Sequence, residues 1–327
     1  MIKKKTLFTM LLVVVFSLVL AACGAADNTD KDKDDVVEET TDGNTYTIEH
    51  AMGSTPIEKT PEKIVILTNE GTEALLAMGV KPVGAVRSWI GDPWYEHIEE
   101  QMDGVEVVGE ESNVNIEAIA ALEPDLIIGN KMRQENIYEQ LKAIAPTVFA
   151  EDLRGDWKKN FTLYSKAINK EEEGKKILAE FDERIDTLKG KIDTATEVSV
   201  VRFMEGRTRI YYTDSFSGVI FDQLGLKRPA QQVELFAENP DDQFAREVDQ
   251  EKIPLMDGDV IFYFTYETGN GEATAVETEW TEHELWQRLE AVKAGNVHQV
   301  SDPIWNTAGG VLAANLMLDD IEELLAK

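Results

Sequence analysis

The sequence predicts a two-lobed α/β protein whose lobes are joined by one long helix. Three observations carry that prediction. Short β-branched runs alternate with stretches of helical spacing in both halves of the chain, the pattern of βαβ units and mainly parallel sheets. Between the halves this alternation gives way to helical spacing over 156–192. Finally, 327 residues are more than one hydrophobic core ordinarily organises.

Before the folded part comes a targeting segment. Lys3, Lys4 and Lys5 precede an apolar run over 6–20 that ends in Leu20-Ala21-Ala22-Cys23. A basic start, an apolar centre and a small-residue cleavage site make a secretory signal, here 1–22. The run is shorter than the ~20 residues that cross a bilayer. Cys23 is the only cysteine, and its setting matches a bacterial lipobox. It is therefore expected to be lipidated, anchoring the protein to the cell membrane on the extracytoplasmic face. Residues 23–45 are too polar to offset the entropy of ordering and read as a disordered tether. With 32 basic and 62 acidic residues the formal charge is −30, and loss of the three signal lysines deepens it. Such a balance excludes nucleic acid as a partner and electrostatic docking on anionic lipid. Its bland reading is a solvated, soluble surface.

The N-terminal lobe is assigned to 46–155. Residues 63–67 (Lys-Ile-Val-Ile-Leu) form a buried strand, 70–78 a helix stopped by Gly79, and 82–86 the next strand. Helices over 115–122 and 135–144 then alternate with strands over 125–128 and 147–149. The helical segment, 156–193, has a break at Asn169, and its second part, from Lys170, is roughly 35 Å long at 1.5 Å per residue. That suits a bridge between lobes. The C-terminal lobe, 194–327, has strands over 198–203, 209–212, 260–264 and 297–300. Its helices are 218–224, 282–292 and 308–325. No fixed-period repeat links the halves, which excludes a solenoid.

The order of several stretches resembles a known family. They are Pro61-Glu62-Lys63-Ile64-Val65-Ile66-Leu67, then Glu73-Ala74-Leu75-Leu76-Ala77-Met78-Gly79-Val80-Lys81-Pro82-Val83-Gly84, and Asn115-Ile116-Glu117 leading to Leu122-Glu123-Pro124-Asp125-Leu126-Ile127-Ile128. Ile144-Ala145-Pro146-Thr147-Val148 and Phe221-Asp222-Gln223-Leu224-Gly225 continue the match. Together they resemble the substrate-binding lipoproteins of Gram-positive ferric-siderophore ABC importers. The resemblance implies the class III periplasmic-binding-protein fold, two Rossmann-like lobes on one long helix. It also implies a monomer that captures a ferric siderophore and delivers it to a permease driven by a cytoplasmic ATPase. The hydroxamate and citrate-hydroxamate binders look closest, on Lys131 to Tyr138 and on Trp305-Asn306-Thr307-Ala308-Gly309-Gly310.

Physical chemistry points to the same place. Ligands of open α/β sheets sit beyond the carboxyl ends of strands, and there this acidic chain puts basic and aromatic side chains. Arg87 and Trp89 follow one strand, Lys131 and Arg133 another, and Arg202 lies in or at the end of the first strand of the second lobe, with Arg207 and Arg209 close behind. A guanidinium fork donates two hydrogen bonds to carboxylate, hydroxamate or catecholate oxygens. Tyr212, Trp280, Trp305 and Asn306 complete the expected ligand set. The competing reading is arginines paired with surface acids, each pair contributing only ~0–1 kcal/mol. The four histidines, His50, His97, His283 and His298, are scattered with no ligand spacing, so neither a metal site nor a cofactor is expected. Iron would enter only inside the chelate. Gly309-Gly310 reads as close packing at a helix start. No catalytic motif stands out, and the protein is expected not to be an enzyme. Cobalamin or haem capture, an exported metal-dependent enzyme and a protein-binding lipoprotein remain as alternatives. From the resemblance, an exposed carboxylate on each lobe should dock the permease. Glu73 matches the first position, and Asp222 the second, one methylene shorter than the family's usual glutamate. With a single connecting helix and no hinge strands, closure on ligand should be only a few degrees.

Overall fold

The computed structural model describes residues 45–326, so the predicted signal peptide, Cys23 and all but the last residue of the predicted tether lie outside the described residues. A hairpin of β1 (Tyr46–His50) and β2 (Gly53–Ile57) opens the described chain. The N-terminal sheet is built from β3 (Ile64–Ile66), β4 (Gly84–Ala85) and β5 (Glu106–Val107), with a small side ribbon of β6 (Gly109–Glu110) and β7 (Asn113–Val114). β8 (Leu126–Asn130) and β9 (Thr147–Ala150) complete it in the order β5-β4-β3-β8-β9, every pair parallel. Helices α1 (Asn69–Ala77), α2 (Ile116–Ala121), α3 (Lys131–Gln134) and α4 (Tyr138–Lys142) make the crossovers. α1 starts where it does because Thr68 Oγ1 accepts the Gly71 N–H at 3.1 Å, an N-cap.

α5 (Trp157–Ala167) leads to α6 (Glu171–Lys189), the connecting helix, about 28 Å long at 1.5 Å per residue. The predicted break at Asn169 is where the backbone turns left-handed, φ +57°. α5 and α6 approach closely at Gly174, where an added Cβ would stand 2.5 Å from Ser165 Cβ.

The second sheet comprises β10 (Val198–Met204), β11 (Arg207–Tyr211), β12 (Ala245–Val248), β13 (Val260–Tyr266) and β14 (Val297–Gln299), ordered β12-β11-β10-β13-β14. It is mixed. β13 runs parallel to β10 and β14, whereas β11 runs antiparallel to β10 and β12. The cause is the turn at Glu205 and Gly206, because a link that short joins only antiparallel neighbours. Around this sheet lie α7 (Phe216–Leu224), α8 (Ala230–Ala237), α9 (Glu272–Glu282), α10 (Glu290–Ala294) and α11 (Val311–Leu325). The single helix expected over 282–292 is split, since His283 and Leu289 are both extended. α8 and β12 were not expected.

One hydrophobic core runs through both halves, from Ile64 and Ile66 through Phe161 and Phe181 to Phe262, Trp305 and Met317. α11 returns to pack on α1, α5 and α6. Gly310 makes this approach possible, because a Cβ there would lie 2.6 Å from Glu73 Oε2. Among the described residues no helix is long and apolar enough to cross a membrane.

Candidate functional site: an arginine-lined cleft

A cavity of about 350 Å³ lies between the two sheets and takes lining from both. The first lobe contributes segments just past its strand ends: Glu70 after β3, Trp89 after β4, Arg133 after β8, and Leu153 and Arg154 after β9. The second lobe contributes a face of its sheet. Successive side chains of a strand point to opposite faces. The register pairs Arg202 with Arg209 and Met204 with Arg207, so one face of the hairpin presents three arginines and a thioether to the cavity. Tyr211, Phe216, Phe244 and Tyr266 give it aromatic walls.

Arg202 is held as a fork. Its Nε and Nη2 donate to Asp302 Oδ2 and Oδ1 at 2.7 and 3.2 Å, and Nη1 donates to Tyr211 Oη at 3.0 Å. Burial opposes its charge, but the facing Asp302 and Tyr211 hold the guanidinium protonated. Its plane lies 4.7 Å from the Tyr266 ring centre, which keeps the tyrosine fixed beside the cavity. Asp302 opens a single π turn, Pro303–Thr307, which brings Asn306 and Thr307 to the cavity.

The other arginines are held more loosely. Arg133 Nε lies 3.4 Å from Glu111 and its guanidinium 6.0 Å from the Trp89 ring centre. Arg209 sits 3.8 Å from Glu247, and Arg154 3.5 Å from Asp242. The Arg209 and Arg154 pairs are partly exposed on both sides and contribute about 0–1 kcal/mol each, so an anionic ligand displaces them at little cost. Glu111 is buried, which pushes its carboxyl up against the pull of the Asn69 N–H, the Asn69 amide and Arg133.

The structure therefore brings together Trp89, Arg133, Arg202, Arg209 and Asn306 of the predicted ligand set. Several predicted residues are elsewhere. Arg87 is exposed and outside the cavity lining. Lys131 is also outside it and bonds to Glu151 at 2.8 Å. Tyr212 points to the opposite face of the sheet from Arg209 and stacks on Phe236 at 4.1 Å. Trp280 is buried on α9 against Phe203, outside the cavity lining. Trp305 is wholly buried between Phe221 and Phe262, with its indole N–H donating to Asp320 at 2.7 Å.

The docking pair also needs correction. Glu73 is fully buried, with Oε1 2.5 Å from His97 Nε2 and Oε2 accepting the Ala313 N–H at 2.9 Å. It ties α1 to the start of α11 and cannot meet a permease, so the two-carboxylate docking scheme fails. Asp222 is exposed in the last turn of α7.

Sequence reasoning missed Arg154, Tyr211, Glu70 and Glu111 at the cavity. The rule that selected Arg133 would have found Arg154, which follows a strand end in the same way. Strand parity would have found Tyr211, since Arg209 and Tyr211 must share a face. Nothing marked the two acids among 62.

Two sheets on a single connecting helix, with a cleft between them, define the class III binding-protein architecture, and the chain belongs to the periplasmic binding protein family, which matches residues 64–303. Among its relatives is a probable siderophore-binding lipoprotein, YfiY, of Bacillus subtilis (strain 168), 53% identical and covering 99% of each chain. An achromobactin-binding periplasmic protein of Dickeya dadantii (strain 3937) is 28% identical, covering 80% of this chain and 85% of its own. Among solved structures, Staphylococcus aureus SirA complexed with staphyloferrin B is 33% identical, with a TM-score of 0.78 over 85% of this chain and 98% of that one.

Proposed function

We propose that this protein is an extracytoplasmic receptor that captures a ferric siderophore of hydroxamate or citrate-hydroxamate type between its lobes. It then hands the chelate to an ABC permease and is held at the membrane by lipid on Cys23. The observation that carries the reading is the cleft itself. A chain of formal charge −30 gathers five arginines and an aromatic wall around one cavity. Arginines suit the anionic oxygens at a chelate's metal centre, and the aromatic faces suit its apolar spacers. The relatives named for siderophore binding support the same ligand class. Arg154 and Arg209 hold only long, partly exposed ion pairs, so their donors remain available to ligand.

Trp89 in the lining makes fluorescence quenching the test. Titration with ferric citrate-hydroxamate and trihydroxamate chelates, cobalamin and haem should give submicromolar affinity for a ferric chelate. Arg133→Ala should weaken it by about 1.5–3 kcal/mol, the range of a charged hydrogen bond. Arg87→Ala should leave it unchanged. Tight binding of cobalamin or haem alone would replace the reading.

A further inference from the structure

Glu70 occupies the cleft in a setting that its arginines do not account for. It lies in the first turn of α1, only 7% exposed, and lines the cavity beside Glu111. A carboxylate at a helix N-terminus is ordinarily served by the free N–H groups there. Here two of those donors are taken. The Asn69 N–H goes to Glu111 at 3.0 Å and the Gly71 N–H to Thr68 at 3.1 Å. Arg133 is engaged by Glu111. Glu70 Oε2 accepts from the Asn160 amide at 3.3 Å and the Tyr164 hydroxyl lies beside the carboxyl, while Oε1 is buried without a hydrogen-bond partner.

The groups around it are mostly acids. Glu111 comes from the loop between β6 and β7, Asp152 follows β9, Glu73 is one turn along α1, and the Tyr164 hydroxyl reaches in from α5. An unpaired carboxylate in such a place would be costly, whereas a carboxylic acid is not. Burial, with Asn160 opposing and the three acids assisting, accordingly pushes the Glu70 carboxyl well above the usual carboxylate range.

We propose that Glu70 is a ligand-contacting residue that binds the chelate in its protonated form, so that capture is linked to one proton on this side chain. The inference rests on the ferric-chelate reading above. A neutral acid offers an O–H to the chelate's oxygens. An ionised Glu70 would set a second negative charge beside Glu111 and repel an anionic ligand. The linkage has a definite sign: affinity is full while Glu70 keeps its proton and is lost as pH rises through its titration.

The test is titration of the full chain with ferric staphyloferrin B and with a ferric citrate-dihydroxamate chelate over a series of pH values. For wild type, Kd should rise by up to about tenfold per pH unit once the carboxyl titrates, the slope for a single linked proton. Glu70→Gln, which keeps the shape and a donor, should bind as wild type does at acid pH and lose the slope. Glu70→Ala should bind more weakly at acid pH and also lose the slope. A flat wild-type profile would overturn the linkage, as would the full slope persisting in Glu70→Gln. Wild-type affinity in Glu70→Ala at acid pH would overturn the contact. If wild type binds neither chelate at any pH, the ferric-chelate reading itself fails and this inference with it.

Discussion

The Arg202–Asp302 pair concentrates the chemistry of the cleft in two side chains. Both are buried, and taking two charges out of water carries a large desolvation cost that bidentate geometry offsets only while both partners remain. Asp302→Ala leaves an uncompensated guanidinium in the interior. We expect it to lower unfolding stability by about 3–5 kcal/mol, measured by urea denaturation. Asp302→Asn, which retains an acceptor, should cost less. Equal stability of Asp302→Ala and wild type would mean that water or the Tyr266 ring already carries the guanidinium. Glu73 belongs to the same scale: one carboxylate joins residues 240 positions apart, Glu73 and Ala313. Nothing in the local sequence separates such a buried acid from the many exposed ones.

Helices decide how the lobes are held, and α5 and α6 show how a single atom sets their spacing. By intrinsic propensity Gly174→Ala should stabilise α6 by about 1 kcal/mol. The added Cβ, however, would stand 2.5 Å from Ser165 Cβ and 2.8 Å from its hydroxyl, closer than atoms pack. Overpacking of this kind costs about 1–3 kcal/mol, so steric cost should exceed propensity. We expect Gly174→Ala to lower the melting temperature, and a raised one would show that α6 shifts away from α5 without loss. The same close approach recurs at Gly310 against α1, in line with the close packing expected at that helix start.

For the whole molecule, the decisive feature is that the two sheets share one continuous core. Opening that shared core would expose apolar side chains whose burial contributes about 1.5–3 kcal/mol each. α11 packed on α1 and α6 adds a second connection beside the long helix. Wide opening is therefore disfavoured, and ligand should move the lobes by a few degrees. Small-angle scattering with and without ferric chelate should give nearly the same radius of gyration, and a large fall on ligand addition would contradict this account.

The sequence by itself determined the architecture: alternating periodicity marked both lobes, Asn169 marked the turn before α6, and strand ends marked where Trp89 and Arg133 would converge. These are readable because hydrophobic period and backbone preference act over a few neighbouring residues. Only the tertiary structure decided which charges face ligand and which are internal. Arg87 and Arg133 carry the same local signal, yet Arg133 lines the cleft and Arg87 faces solvent. Glu70 and Glu73 are three residues apart on one helix; one lines the cleft and the other holds α11. Trp305 was expected at the ligand, but the π turn that carries it folds into the core. Burial and electrostatic environment depend on groups brought together across the chain, and that juxtaposition is made by packing, which no local pattern records.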